Sequence, residues 1–419
     1  MQKSLSLFIT LLISITIVRA AYTVIPMDDS QTNHLKAYGI AYWALEQGVN
    51  VDWLLNYKGG SFAIPSKSEI EKECIIRGVK FETLPDASML NVLDHISQPE
   101  VNMDAVRLEK APKIAVYSPD SKLPWDDAVT LVLTYAEIPY TLIYDTEILE
   151  DELVLYDWLH LHHEDFTGQY GKFYAAYRNA SWYIQQQKDA EALAQKHGFS
   201  KVSDAKLAVA QKIKEYVVGG GFMFAMCSAT DTYDIALSAE NTDICHQIFD
   251  GDPMDPQAQE KLDFSKTFAF ENFKINKNLY EYEVSDIDVP PVRPMDEKMD
   301  YFSLFEFSAK WDPVPTMLTQ NHSKLVKGFM GQTTAFKKRV IKKDVLILGD
   351  NKLADEAKYI HGEMGKGTWT FYGGHDPEAY RHLVGDPPTD LNLHPNSPGY
   401  RLILNNILFP AAKKKERKT

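Results

Sequence analysis

The feature that most restricts this chain is a repeated order of segments: a short apolar run, a polar loop, an amphipathic helix and a second apolar run. It occurs in YTVIPMDDSQTNHLKAYGIAYWALEQGVNVDWLLNY, where residues 22–27 read as a strand, Asp28 and Asp29 follow in the loop, and Gly48 stops the helix. It recurs in KIAVYSPDSKLPWDDAVTLVLTYAEIPYTLIYD, where Pro124 opens a helix whose first turn is acidic at Asp126 and Asp127. A helix between two strands is a βαβ unit, and such units build parallel sheets covered by helices on both faces. The two stretches therefore predict neighbouring parts of one open, mostly parallel sheet in an α/β fold.

Other segments fill in around these units. PSKSEIEKECIIRG reads as a helix with Cys74 on its apolar side, VKFETLP as a strand, and the following residues to about Lys110 as a polar link. YDWLHLHHEDFTG is a strand ending in polar groups, followed by two helical runs and then by an apolar strand that passes at Cys227 directly into a helix. Residues 241–310 read as a β-rich insertion of loops and short hairpins, with the sheet resumed near KDVLILGD. YIHGEMGKGTWTFYGGH predicts a hairpin, and SPGYRLILNNILF a closing helix. The resulting division is a leader at 1–20, an N-terminal α/β unit at 21–110, a main α/β domain at 111–411 and a basic tail at 412–419.

The leader assignment rests on Lys3, the apolar run from Leu5 to Val18 and the small residue Ala20, a pattern of secretory signals cut at small residues. It predicts a periplasmic or secreted protein without an integral membrane segment, since no later run approaches the ~20 apolar residues of a span. Apolar content of 45% is that of a packed globular chain, and a formal charge of −14 argues against a nucleic-acid partner. Three cysteines, Cys74, Cys227 and Cys245, leave at least one thiol unpaired in an oxidising compartment, so burial or chemistry must account for it.

Ligands of open parallel sheets bind beyond the carboxyl ends of the strands, so polar groups at strand exits are the candidate site. Cys227 has small residues, Ala225 and Ala229, two positions to either side, as a cramped strand-to-helix turn carrying a nucleophile demands. His375 leaves a strand at Gly373-Gly374 and is followed by Asp376 and Glu378, the way a base and its orienting acid are delivered. Glu378 is the favoured partner, because Asp376 is placed to cap a helix beginning at Pro377. In the run His160 to Asp165, strand geometry puts His160 and His162 on one face and His163 on the other. A metal there, on His160, His162 and Glu164, would want another ligand from His34 or His375; a hydrogen-bonded polar wall is the alternative. Neither a phosphate-binding loop nor a dinucleotide fingerprint occurs, so no cofactor is expected.

The elbow cysteine, its helix and the late Gly-Gly-His exit resemble the class I glutamine amidotransferase-like superfamily from about Lys113 to Pro410, with a ThuA-like ending in Gly-Gly-His-Asp and the closing helix. PMDDSQTNHLKAYGIAYW, LHLHHEDFTGQYGKF, FAMCSATD and FYGGHDPE are similar to an exported bacterial family that often carries the label asparagine synthetase B. The resemblance implies a flavodoxin-like sheet and a Cys–His–Glu triad at Cys227, His375 and Glu378 that releases ammonia from an amide. The chain departs from the superfamily in having alanines for the elbow glycines and Pro377 where the acid stands. It also lacks the S-G-G-x-D-S loop and mature N-terminal cysteine of true asparagine synthetases.

Three functional classes follow. The first is a thiol hydrolase in which the N–H of Ser228 helps hold the oxyanion, with Asp28, Asp29, His162, Glu164, Ser228 and Asp376 on the substrate side. The second is an envelope protein binding a sugar or small polar ligand without chemistry, and the third a metal-dependent hydrolase.

Overall fold

The computed structural model describes residues 21–119, 124–289, 295–312 and 319–413, so the leader and nearly all of the basic tail lie outside the described residues. The chain forms a mixed α/β structure built on two sheets.

The N-terminal sheet contains β1 (Ala21–Ile25), β2 (Val51–Leu55), β3 (Ser61–Pro65), β4 (Glu82–Pro85) and β5 (Asp104–Leu108), in the order β4-β1-β3-β2-β5. Every hydrogen-bonded neighbour in it is antiparallel. This corrects the expectation of one shared parallel sheet: β1, helix His34–Glu46 and β2 do follow each other, but β3 folds back and separates the two strands. The supposed polar link also contains helix Asp86–Ser97 and β5. Exposed Ala105 and Arg107 on β5 alternate with buried Val106 and Leu108, the signature of a half-covered strand, and the alternation is too short to stand out against a polar background.

The second sheet begins with β6 (Ile114–Tyr117), β7 (Thr141–Ile143), β8 (Trp158–Leu161) and β9 (Phe222–Met226). It continues through β10 (Tyr301–Leu304), β11 (Leu325–Lys327), β12 (Phe336–Lys337), β13 (Leu346–Asn351), β14 (Glu356–Met364) and β15 (Gly367–Tyr372). The order is β11-β10-β13-β14-β15-β9-β8-β6-β7, with β12 added to β14. The five strands β7-β6-β8-β9-β15 pair in parallel, whereas β14, β13, β10 and β11 continue the sheet antiparallel. Thus β10, at the end of the expected insertion, is a strand of the main sheet; the rest of the insertion holds short helical turns and a narrow bridge, Ile275 to Ser285.

Alternate residues of the parallel strands enter two separate cores. Ile114, Val116, Phe224 and Met226 face helices His34–Glu46, Ala128–Ala136 and Pro398–Leu408, while Ala115, Tyr117, Met223 and Ala225 face helices Val202–Gly219 and Ser228–Ser238. Covering both faces leaves the carboxyl edge of the strands as the natural opening. The closing helix also ties the two sheets together. Its Arg401 is fully buried and donates to Tyr38 Oη, Met27 O and Gly59 O of the N-terminal unit. Among the described residues no helix is long and apolar enough to cross a membrane.

Candidate active site

Strand register assembles the site. β9 and β15 are neighbours with Met226 opposite Tyr372, so Cys227 and the segment Gly373–His375 leave the sheet side by side. β8 pairs β9 with Leu161 opposite Ala225, and β6 pairs β8 with Tyr117 opposite Leu161, which brings His162, His163 and the 124–127 segment to the same edge.

Cys227 joins β9 to helix Ser228–Ser238 at φ 52°, ψ −139°, a conformation that a side chain adopts at a cost of about 1–3 kcal/mol. A strained strand-to-helix turn of this kind holds its side chain at the sheet edge, and the Cys227 sulfur borders a cleft of about 430 Å³. Only 2% of the residue is exposed, so the thiol forms part of the cleft floor. Gln332 N–H points at the Cys227 sulfur from 3.2 Å. Its loop is fixed on both sides: Thr333 Oγ1 donates to Asp231 Oδ1 at 2.7 Å, Thr334 N to Asp288 Oδ1 at 2.9 Å, and Gly374 N to Thr333 O at 2.7 Å. Burial pushes the Asp231 carboxyl up to about 7. Gly331 must be glycine here, since a Cβ would lie 2.7 Å from His375 N and 3.0 Å from the sulfur. Gly374, at φ +92°, turns β15 out beneath the Phe329 ring and so aims His375.

His375 lies beside the Cys227 sulfur, with its backbone N–H bonded to Met330 O at 3.0 Å. Burial alone would lower its pKa, but Asp126 and the sulfur outweigh that and raise it to about 9. Its Nε2 faces Asp126 Oδ1 at 4.0 Å, and His382 Nε2 is 2.7 Å from the same oxygen. Asp126 is also partly buried, yet the His375 and His382 imidazoles hold its carboxyl well below the usual range. His163 stacks on His162 with centroids 3.7 Å apart and His375 on His382 at 4.5 Å, while His163 and His375 meet at a tilt, also at 4.5 Å.

Several sequence expectations are corrected. Glu378 does not face His375; its Oε2 lies 3.1 Å from His394 Nδ1, and the acid facing the imidazole is Asp126, from another strand exit. No helix starts at Pro377, because Asp376 Oδ1 takes the Glu378 N–H in a local turn instead. Nor do Asp126 and Asp127 lie inside a helix: Ala128–Ala136 is capped by Asp127, whose Oδ1 accepts from Val129 and Thr130 N–H, leaving Asp126 free to turn into the site. Asp28 and Asp29 sit at the N-terminal sheet, where Asp28 bonds Ser30, and neither lines the cleft. The trio His160, His162 and Glu164 does not converge. His160 Nε2 is 3.0 Å and His162 Nδ1 3.3 Å from Asp127 Oδ2, whereas Glu164 bonds Tyr144 Oη at 3.1 Å beside Lys206. His162 and Glu164 line a second cavity of about 600 Å³ that shares Trp125 and His163 with the cleft. His34 does not line the cleft; its ring bonds Asn396 and, at the exit of β1, Met27 O. A bend after Leu161 brings His163 against His375, which strand alternation alone would not do.

The sequence reading missed Asp126, His382 and Gln332. A signal existed only for Asp126: one aspartate suffices to cap a helix, so the second of the pair was surplus. Ser228, by contrast, stands where expected at the first helical position, where a backbone N–H has no intrahelical acceptor.

No family model matches the chain, and no curated protein does. Among solved structures, cytoplasmic proteins STM3548 and STM1381 from Salmonella typhimurium align at 12% and 10% identity, each over 72% of this chain and 100% of its own, with TM-scores of 0.36 and 0.38. The GH42 β-galactosidase Gan42B of G. stearothermophilus aligns at 12% identity over 64% of this chain and 28% of its own, with a TM-score of 0.26. Likeness at this level carries no argument about fold or function.

Proposed function

We propose that the cleft is the active site of an exported thiol hydrolase acting on an amide, of the class I glutamine amidotransferase-like type. The observation that carries the reading is the strained Cys227 turn, with an imidazole beside its sulfur and the Gln332 N–H 3.2 Å from it. The parallel strand order β7-β6-β8-β9-β15, which in chain order is 2-1-3-4-5, is that of flavodoxin-like sheets and supports the same assignment.

In this reading the sulfur attacks the amide carbon with its proton already held on His375, whose raised pKa favours the imidazolium. The carbonyl electron pair moves to oxygen, held by the N–H groups of Gln332 and Ser228. His375 then gives its proton to the leaving nitrogen, the C–N bond breaks, and a thioester remains. Water, deprotonated by His375, attacks the thioester carbon, releasing the acid and regenerating the thiol. Asp126 holds the imidazole in place, the role that sequence alone gives to Glu378. Replacing Cys227 by alanine tests the proposal through ammonia release from a panel of glutamine, asparagine and peptide amides. Turnover falls at least about a thousandfold if it is right; equal turnover of variant and parent sinks it.

One observation favours a second reading, binding of a sugar without chemistry: the cleft wall presents Trp125, Phe173, Tyr177, Tyr280 and Tyr282, faces on which sugar rings stack. Retention of a ring ligand by a protein that releases no ammonia from any amide would support it.

A further inference from the structure

We propose that Asp126, His375 and His382 form a binding site for a divalent first-row transition-metal ion. The inference rests on atoms that are buried and yet serve no hydrogen bond. Both Asp126 oxygens, His375 Nε2 and His382 Nε2 are all in this state. The His382 Nε2 to Asp126 Oδ1 separation of 2.7 Å is that of an ion pair, and both atoms are left without a hydrogen-bond partner. Groups that crowd together without bonding one another, and that are shut off from water, are aimed at something they share.

Their spacing suits an ion. One ligand atom from each residue lies within 4.8 Å of the others, and the two distances to Asp126 Oδ1 are 2.7 and 4.0 Å. Metal bonds of ~2.0–2.1 Å place ligand atoms roughly 3 to 4.2 Å apart, so sub-ångström shifts complete the site. Two imidazoles with one carboxylate are a donor set for zinc or ferrous iron rather than for calcium or magnesium. Outer contacts hold the ligands in place: His163 Nε2 bonds Asp126 O at 2.8 Å, and Met330, whose O takes the His375 N–H, donates its own N–H to Tyr380 O at 2.8 Å.

Among the described residues three other clusters occur: in His162, His163 and His375, which shares His375 with the proposed site, His163 Nε2 is taken by Asp126 O, and the remaining two are occupied. Asp127 is occupied by His160 and by the helix N–H groups it caps. Asp243, Asp250 and Asp252 surround the Lys201 ammonium, at 2.7–3.2 Å.

The binding does not depend on the thiol mechanism, but it bears on it, because ion and proton relay would use the same imidazole. The test uses the full chain, stripped with chelator and titrated with Co²⁺, with visible absorption and calorimetry as readouts. One Co²⁺ per chain is expected, with a ligand-field spectrum; His382→Ala weakens binding at least about tenfold, with an unchanged circular dichroism spectrum. The Cys227→Ala protein binds as the parent does, which separates this proposal from the hydrolase. No Co²⁺ uptake by the parent, or parent-like affinity in a folded His382→Ala protein, overturns it. Should His382→Ala fail to fold, His382→Gln is read in the same way.

Discussion

Two groups of histidines, both largely removed from water, behave in opposite ways. At the strand exits, His375 is raised to about 9. Beside the closing helix, His34 and His322 stack with centroids 4.2 Å apart and are lowered to about 4 and about 3. Burial pushes all three down; the neighbour decides the rest. His375 has the Asp126 carboxylate, whereas the pair at the closing helix has the Arg401 guanidinium, which repels a second positive charge. His162 shows that a carboxylate need not win, since it is lowered to about 4 by burial despite Asp127, with His375 adding to the effect. A buried imidazole is thus a proton carrier in one place and a neutral packing element in another.

The sharpest way to break this contrast is to remove the carboxylate. Asp126→Asn keeps the shape but not the charge facing His375, and amide turnover should fall by about 10²–10⁴-fold in kcat, as when an orienting acid is neutralised. Parent-like kcat in a folded Asp126→Asn protein would show that Asp126 has no part in orienting the base.

The neutral pair makes a prediction of intermediate size. His34 and His322 have folded pKa values below the ordinary 6.5, so under acid the unfolded chain binds protons that the folded chain refuses. Their contribution is intact above about pH 6.5 and is lost as pH falls, down to about 4 for His34 and about 3 for His322. For His322 this amounts to about 2 kcal/mol between pH 6.5 and 4.5. Other buried histidines add to the slope, so the measurement is the difference between parent and His322→Phe in urea unfolding at the two pH values. Identical slopes would mean that His322 is not held neutral.

The smallest effect is expected at Glu378. Placed beside His394 and not beside His375, it should tolerate Glu378→Gln with less than about a threefold change in kcat. A loss as large as that of Asp126→Asn would restore the sequence-based triad.

Much of this was legible beforehand. The strand-to-helix passage at Cys227, the helices that follow β8, the β14–β15 hairpin and the closing helix all follow from periodicity and punctuation. The partner of His375 was not. Local spacing offers Asp376 and Glu378, but a turn consumes the first and His394 the second. The antiparallel character of the N-terminal sheet was hidden for a similar reason, because β3 enters between two strands whose own sequences read as a plain βαβ unit.

The sequence by itself determined the strand-to-helix passage at Cys227, the β14–β15 hairpin, the closing helix, and that polar groups cluster where strands end, because these follow from side-chain periodicity and from the backbone demands of short turns. Only the tertiary structure decided which exits become neighbours. Parallel register put Cys227 beside His375 and carried Asp126 across from β6, and these distances depend on how strands are ordered in the sheet, a property that no local stretch of chain encodes.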